Sequence, residues 1–266
     1  MMPSLKIDRL PMAEPLGGIE AFNVLRGHVD PADPYSEVNL CDYVGDDPLH
    51  VVQCRLQLCK QLHIDPQCLV MPRQRHTSQV RLVDARLLAL SSHERASELD
   101  GVDALVTCLT GVCLGVNTAD CVNIALCDPA AGVVAVAHAG WRGTVARIAS
   151  RTVAAMQAVG AQPGRIVATM GACICQDCFE VGDEVVEALT GAGYDERYVA
   201  VRNTRTGKMH VDLPTANKID LVEAGVHPRH ITWNGECTRC NPNLYFSARR
   251  LGIASGRTFT GIIRRH

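Results

Sequence analysis

The stretch from Ala104 to Ala137 constrains the fold more than any other part of the chain. Four short β-rich runs follow one another there: Ala104–Cys108, Val112–Val116, Val122–Cys127 and Val133–Ala137. Turn signals separate them at Thr110-Gly111 and from Asp128-Pro129 through Gly132. Helical patterns lie on either side. Pro48–Leu62 carries an apolar face of Val51, Val52, Leu56, Leu58, Cys59 and Leu62, with Asp47 as N-cap and proline at the first helical position. Thr144–Val159 repeats the pattern with Val145, Ile148, Ala149, Val153, Met156 and Val159, and Gly160 and Pro163 end it. Val181–Ala188 and Leu213–Ala224 read as further helices, the second closed by Gly225. Ile166–Met170, Ile231–Asn234 and Phe259–Ile263 read as strands, and residues 30–35 as a loop. Strands neither alternate strictly with helices nor stand alone. A mixed α/β domain follows, not a doubly wound parallel sheet. The glycine-containing segments match no nucleotide-binding fingerprint.

No Pro/Ser-rich or charged linker breaks the middle of the 266 residues, so one domain over 1–266 is expected. A chain this long buries roughly 70–75% of its unfolded surface and needs no staple. Net charge is −2, and the basic patches (Arg73 and Arg75, Arg264 and Arg265) make no basic domain, so nucleic acid is not an expected partner. Four Phe and two Trp also give few platforms on which bases could stack. No stretch approaches about 18 uninterrupted apolar residues, which argues against a membrane span. The segment Met1–Asp8 has no apolar run of the secretory type. The thirteen cysteines then read as reduced thiols of a cytoplasmic protein, mostly small buried hydrophobes.

Two of the β runs carry the chemistry. Cys121 stands just before Val122–Cys127, and His138 just after Val133–Ala137. With a four-residue loop over Asp128–Ala131, antiparallel pairing sets Cys121 opposite His138, with Cβ atoms about 4.5–5.5 Å apart. Thiolate and imidazole together either hold zinc or form a nucleophile and its base. A five-residue loop would put the two on opposite faces. After His138, Gly140 and Gly143 allow sharp turning, Thr144 opens a helix, and Arg142 lies beside its free N–H groups, an arrangement that suits phosphate or carboxylate. His76, in Arg73-Gln74-Arg75-His76-Thr77-Ser78-Gln79, is a third candidate.

Cys237-Thr238-Arg239-Cys240 is a Cys-x-x-Cys, and Cys173, Cys175 and Cys178 cluster separately. A structural zinc site is one reading of them. Ordinary reduced thiols is the reading preferred, because a zinc ribbon shows two knuckles. Arg249-Arg250 is either a contact for an anionic substrate or a solvated basic pair.

Together these residues resemble a known family. Thr118-Ala119-Asp120-Cys121, His138-Ala139-Gly140-Trp141-Arg142-Gly143-Thr144, Glu180-Val181-Gly182, Asp212-Leu213, Cys237-Thr238 and Tyr245-Phe246-Ser247-Ala248-Arg249-Arg250 are similar to the multicopper polyphenol oxidase, or laccase-domain, family. Arg26-Gly27 through Asn39-Leu40 and Gly45-Asp46-Asp47-Pro48 fit its N-terminal pattern. The chain departs from the family at Gln74-Arg75-His76-Thr77, where Gln-Val-His-Gly is frequent, and at Arg26-Gly27-His28, where Arg-x-Gly-Gly is usual. The resemblance implies a four-layer α/β/β/α sandwich with mixed sheets. It implies zinc held by His76, Cys121 and His138, with these three as the catalytic centre. It also implies phosphorolysis of adenosine, inosine, guanosine and methylthioadenosine, and deamination of adenosine. Copper is the less expected metal, since three such ligands do not make the multinuclear site that phenol oxidation needs.

The expectation is therefore a zinc-dependent purine nucleoside phosphorylase with adenosine deaminase activity. Phosphate meets Arg142 and the helix start, and Asn39 and Arg249 lie near the substrate. One rival is a cysteine hydrolase or amidase acting on cell-wall precursors, with Cys121 as nucleophile and His138 as base. A zinc-stabilised binding protein is the other.

Overall fold

The structure is a computed structural model that describes residues 5–12, 17–30 and 32–266. Pro31, within both the expected loop 30–35 and the resemblance segment 26–40, lies outside the described residues, as do residues 1–4 of the N-terminal octet.

The β-rich stretch divides between two sheets. Val102–Thr107, Val122–Asp128 and Val133–Ala139 lie inside a six-stranded sheet. Gln79–Leu82 edges it beside Val102–Thr107, and Val167–Met170 followed by Ile231–Trp233 extends the other side. Cys113–Thr118 crosses to a five-stranded sheet ordered Ile7–Arg9, Ile19–Val24, Thr258–Arg264, Cys113–Thr118, Leu69–Val70. Both sheets mix parallel with antiparallel pairs. Glu180–Val181, Met209–Val211 and Ala200–Arg202 form a small antiparallel sheet.

The central strands are buried along their whole length, which is why the sequence shows continuous apolar runs there without polar alternation. Side chains still sort by the two-residue period. Val122, Ile124, Leu126, Ala135 and Ala137 pack on Ile148, Val153 and Met156 and on Leu213, Ala216 and Leu221, from the helices Ile148–Ala158 and Leu213–Glu223. Ala125, Cys127, Val134 and Val136 point the other way and meet Leu114, Val116 and Ile262 of the second sheet. The outer face of that sheet, with Phe22, Val24, Phe259 and Ile263, is covered by Cys54, Leu58 and Leu62 of the helix Pro48–Leu62. Helix, sheet, sheet, helix is the expected four-layer α/β/β/α order.

Several details differ from the expectation. On Pro48–Leu62, Val51, Cys54, Leu58, Cys59 and Leu62 face inward, while Val52 and Leu56 are exposed. The apolar stripe is the narrower 51-54-58-62 row. The helix expected over Thr144–Val159 is two helices, Trp141–Val145 and Ile148–Ala158, broken at Arg147 with φ +60°. Arg147 is held in that left-handed conformation by its side chain. The guanidinium stacks 4.1 Å over Tyr194 and donates to Asp220, Glu223 and the Ala192 carbonyl. Asp220 in turn accepts from the Ser150 backbone N–H and hydroxyl at the start of the second helix. The helix expected over Val181–Ala188 runs Asp183–Gly191, because Val181 is taken into the small sheet.

The hairpin loop is Pro129–Gly132, not Asp128–Ala131, so Asn123, not Cys121, pairs with His138. Asp128 stays in its strand and accepts from the N–H groups of Ala130 and Ala131, and Gly132 at φ +64° turns the chain back. The shift is two residues, so Cys121 keeps its face.

Candidate metal centre and its pocket

Strand period puts His138 on the face that looks toward the second sheet, two residues beyond Val136. Extending the hairpin register one step sets Cys121 opposite Gly140. That pairing explains Gly140 physically. Its φ is an ordinary −68°, so conformation does not require glycine there. Space does: a Cβ at 140 would lie 2.9 Å from both Cys121 Sγ and His76 Cδ2.

His76 arrives from a separate segment, with φ +59°. The ligand atoms of His76, Cys121 and His138 all lie within 4.8 Å of one another. His76 Nε2 is 3.7 Å from Cys121 Sγ, and the two imidazoles meet edge to face with centroids 4.7 Å apart. The three expected residues thus converge. The set suits a borderline-soft metal ion.

Asp103, which sequence reasoning missed, holds this arrangement. One step beyond the pair Ala104↔Ala137, it stands across from His138. Its Oδ1 accepts from His138 Nδ1 at 2.7 Å, leaving Nε2 for the ligand position. Its carboxylate also accepts the backbone N–H groups of Arg75, His76 and Thr77 and the Thr77 hydroxyl. One buried anion thereby fixes both the ring of His138 and the loop that carries His76. Burial alone would raise the Asp103 pKa; the donors from His138 and Thr77 outweigh it and hold the carboxyl below its ordinary range. A charged residue inside an otherwise apolar run was the signal for it.

Burial likewise acts against the thiolate of Cys121, but the imidazoles of His138 and His76 outweigh it and lower its pKa to about 6. Burial acts against the imidazolium of His138 too. The Cys121 thiolate and Asp103 outweigh it and raise the pKa to about 9.

A cavity of about 430 Å³ opens onto these three side chains. Tyr43, Gln74, Asn117, Ile253 and Arg257 are among its walls, and sequence reasoning named none of them as a site residue. Gln74 and the backbone of Asn117 exchange two hydrogen bonds, at 2.8 and 2.9 Å. The side-chain amide of Asn117 is buried, with no partner for its oxygen or its nitrogen among the described residues.

The other expected contacts fall elsewhere. Asn39 is fully buried and its amide is used up by Cys41, Asp46 and the Arg257 backbone N–H. It positions the Arg257 wall and does not face the cavity. Arg142 is exposed on the ring of Trp141, at 4.1 Å, and is not among the cavity walls. The helix beside it starts at Trp141, three residues earlier than expected, and the Thr144 N–H is spent on the Gly140 carbonyl. Arg249 stacks on Phe179 and donates to the Glu180 carbonyl. Its backbone N–H binds Asp120 Oδ2 at 2.7 Å, next to Cys121. No helix among the described residues is long and apolar enough to cross a membrane.

Residues 21–265 match the family described as multi-copper polyphenol oxidoreductase laccase. The chain is 54% identical over 261 residues, 98% of this chain and 100% of the relative, to adenosine deaminase RL5 from an unknown prokaryotic organism. It is 39% identical over 230 residues, 86% and 85% of the two chains, to a purine nucleoside phosphorylase of Bacteroides thetaiotaomicron. The crystal structure of YlmD from Geobacillus stearothermophilus superposes with a TM-score of 0.86 at 33% identity, covering 94% of this chain and 93% of that one. Matched from strand to strand and along nearly its full length, this chain belongs to the multi-copper polyphenol oxidoreductase laccase family.

Proposed function

We propose that this protein is a zinc enzyme of the cytoplasm that deaminates adenosine and phosphorolyses purine nucleosides, with His76, Cys121 and His138 as the metal ligands. The observation that carries the proposal is the convergence of two imidazoles and one thiolate on a nucleoside-sized cavity. End-to-end similarity to an adenosine deaminase and to purine nucleoside phosphorylases supports it. We take 1–266 as one catalytic unit, since cavity walls come from Tyr43 through Arg257.

His76, Cys121 and His138 would hold zinc, which would supply Lewis acidity when bound. The chain's own groups do the rest. Asp103 keeps His138 in one tautomer and its ring in one orientation. The Asn117 amide, one donor group and one acceptor, suits the edge of a purine, which offers both. Arg257, the guanidinium side chain among the cavity walls, takes the anion role expected of Arg142 and Arg249. In phosphorolysis a phosphate oxygen bonds to the anomeric carbon as the C–N bond breaks and the purine leaves with a proton. In deamination water adds at the purine carbon that bears the amine, and ammonia departs.

The cysteine-hydrolase alternative uses Cys121 and His138 but gives His76 no task, although its Nε2 is aimed at the sulfur. One experiment separates them. Purified protein is incubated with adenosine, inosine, guanosine or methylthioadenosine, with and without phosphate and chelator, and the products are identified. The expected result is inosine from adenosine without phosphate, and free base plus the corresponding sugar 1-phosphate only with phosphate. Chelation should abolish both and zinc restore them, and Cys121→Ser and His138→Ala should be inactive. Full activity in metal-stripped Cys121→Ser protein would refute the proposal.

A further inference from the structure

A second cluster of soft ligands lies outside the pocket. Cys175-Gln176-Asp177-Cys178 has the same spacing as Cys237-Thr238-Arg239-Cys240, and the fold brings the two together. We propose that Cys175, Cys178, Cys237 and Cys240 bind a structural zinc ion.

The four sulfurs lie within 4.8 Å of one another, and Cys178 Sγ and Cys240 Sγ are 3.5 Å apart. Tetrahedral zinc with bonds of about 2.3 Å sets its sulfurs about 3.8 Å apart, so the cluster needs only small side-chain adjustment. Each knuckle is already turned. The N–H of Cys178 donates to the Cys175 carbonyl at 3.0 Å, and that of Asn241 to the Cys237 carbonyl at 3.0 Å. The two segments are joined by a bridge between Cys173 and Cys237, with the Thr238 N–H donating to the Cys173 carbonyl. The Cys175 N–H points at Cys237 Sγ, 3.4 Å away, and the Arg239 guanidinium at Cys178 Sγ, 3.5 Å away. These donors suit a tetrathiolate, which carries two negative charges once zinc has displaced four protons to solvent. Four protein ligands fill a tetrahedral ion, so this site has no open position and is structural.

Its position gives it a task. Thr238, inside the second knuckle, donates its hydroxyl to Asp120 Oδ1 at 2.7 Å, and the Ile174 N–H donates to the Asp120 carbonyl at 2.9 Å. Asp120 has φ +84° and precedes Cys121. The tetrathiolate ion therefore clamps the two loops that hold the backbone entering the first centre.

The test is elemental analysis of the full-length protein beside two double variants, Cys178→Ser/Cys240→Ser and Cys121→Ser/His138→Ala. The wild type should carry two zinc ions per chain and each double variant one. Equal zinc in the wild type and the Cys178→Ser/Cys240→Ser protein overturns the proposal, as does stoichiometric iron in place of zinc. Failure of the first site reads differently: a single zinc in the wild type that the Cys121→Ser/His138→Ala protein retains. If the serine variant does not fold, alkylation of the wild type decides. Peptide mapping should show Cys175, Cys178, Cys237 and Cys240 protected until a chelator is added. Equal labelling with and without chelator, or a disulfide among the four in freshly purified protein, rejects the site.

Discussion

At the scale of single residues, the proposed centre depends as much on what is missing at 140 as on what is present at 76, 121 and 138. In Gly140→Ala the methyl group must displace the Cys121 sulfur and the His76 ring, both 2.9 Å from its position. The backbone at 140 is one alanine adopts freely, so folding should suffer little. We expect metal affinity to fall by about 10–100-fold, the size of loss seen when ligand orientation is disturbed. Titration with a competing chelator measures it. Cys121 offers a second check, in metal-stripped protein. Its thiolate forms as pH rises through about 6, far below the ordinary thiol value. Alkylation at Cys121 should therefore rise with its midpoint near pH 6 and level off between about pH 7 and 8. A rate still climbing toward pH 9 would contradict the thiolate–imidazolium pairing. Cys121 and His138 were legible because they share one local hairpin. Asp103 was not, because its partner is set by a strand pairing that the sequence does not display.

At the scale of elements, the broken helix shows where periodicity misleads. Val145, Ile148, Ala149, Val153 and Met156 fit one continuous helical face, yet the chain turns left-handed at Arg147. What breaks the helix lies some seventy residues later, in the buried carboxylate of Asp220. Asp220→Ala leaves the Ser150 N–H without its acceptor and removes an anchor of Arg147. The expected loss is about 2–4 kcal/mol, read as a lower urea midpoint at unchanged slope. The hairpin erred by less. Pro129 and Gly132 announced the turn, but whether Asp128 belongs to loop or strand depends on a side-chain hydrogen bond that spacing does not reveal. The twin Cys-x-x-Cys spacing was visible in the letters. It went unread because Cys173, which belongs to neither knuckle, blurred the first pair into a loose cluster.

At the scale of the whole molecule, the mixed α/β class followed from the order of strands and helices, and the layer order from family resemblance. Strand order was beyond local reasoning. Nothing near Cys113–Thr118 indicates that it leaves its sequence neighbours for the other sheet, and that crossing builds the wall holding Asn117. His76 was likewise a lone histidine in a polar stretch until the buried Asp103 drew its loop inward.

The strand Thr258–Arg264 carries a consequence for how the protein comes into being. It lies between Ile19–Val24 and Cys113–Thr118, pairing with both along nearly its full length. The two earlier strands thus have no direct partner in each other. During folding their facing edges must wait, open, for a strand that follows Cys113–Thr118 by some 140 residues. This half of the molecule therefore closes only when a distant segment arrives, and the unfilled slot is the state most exposed to mispairing.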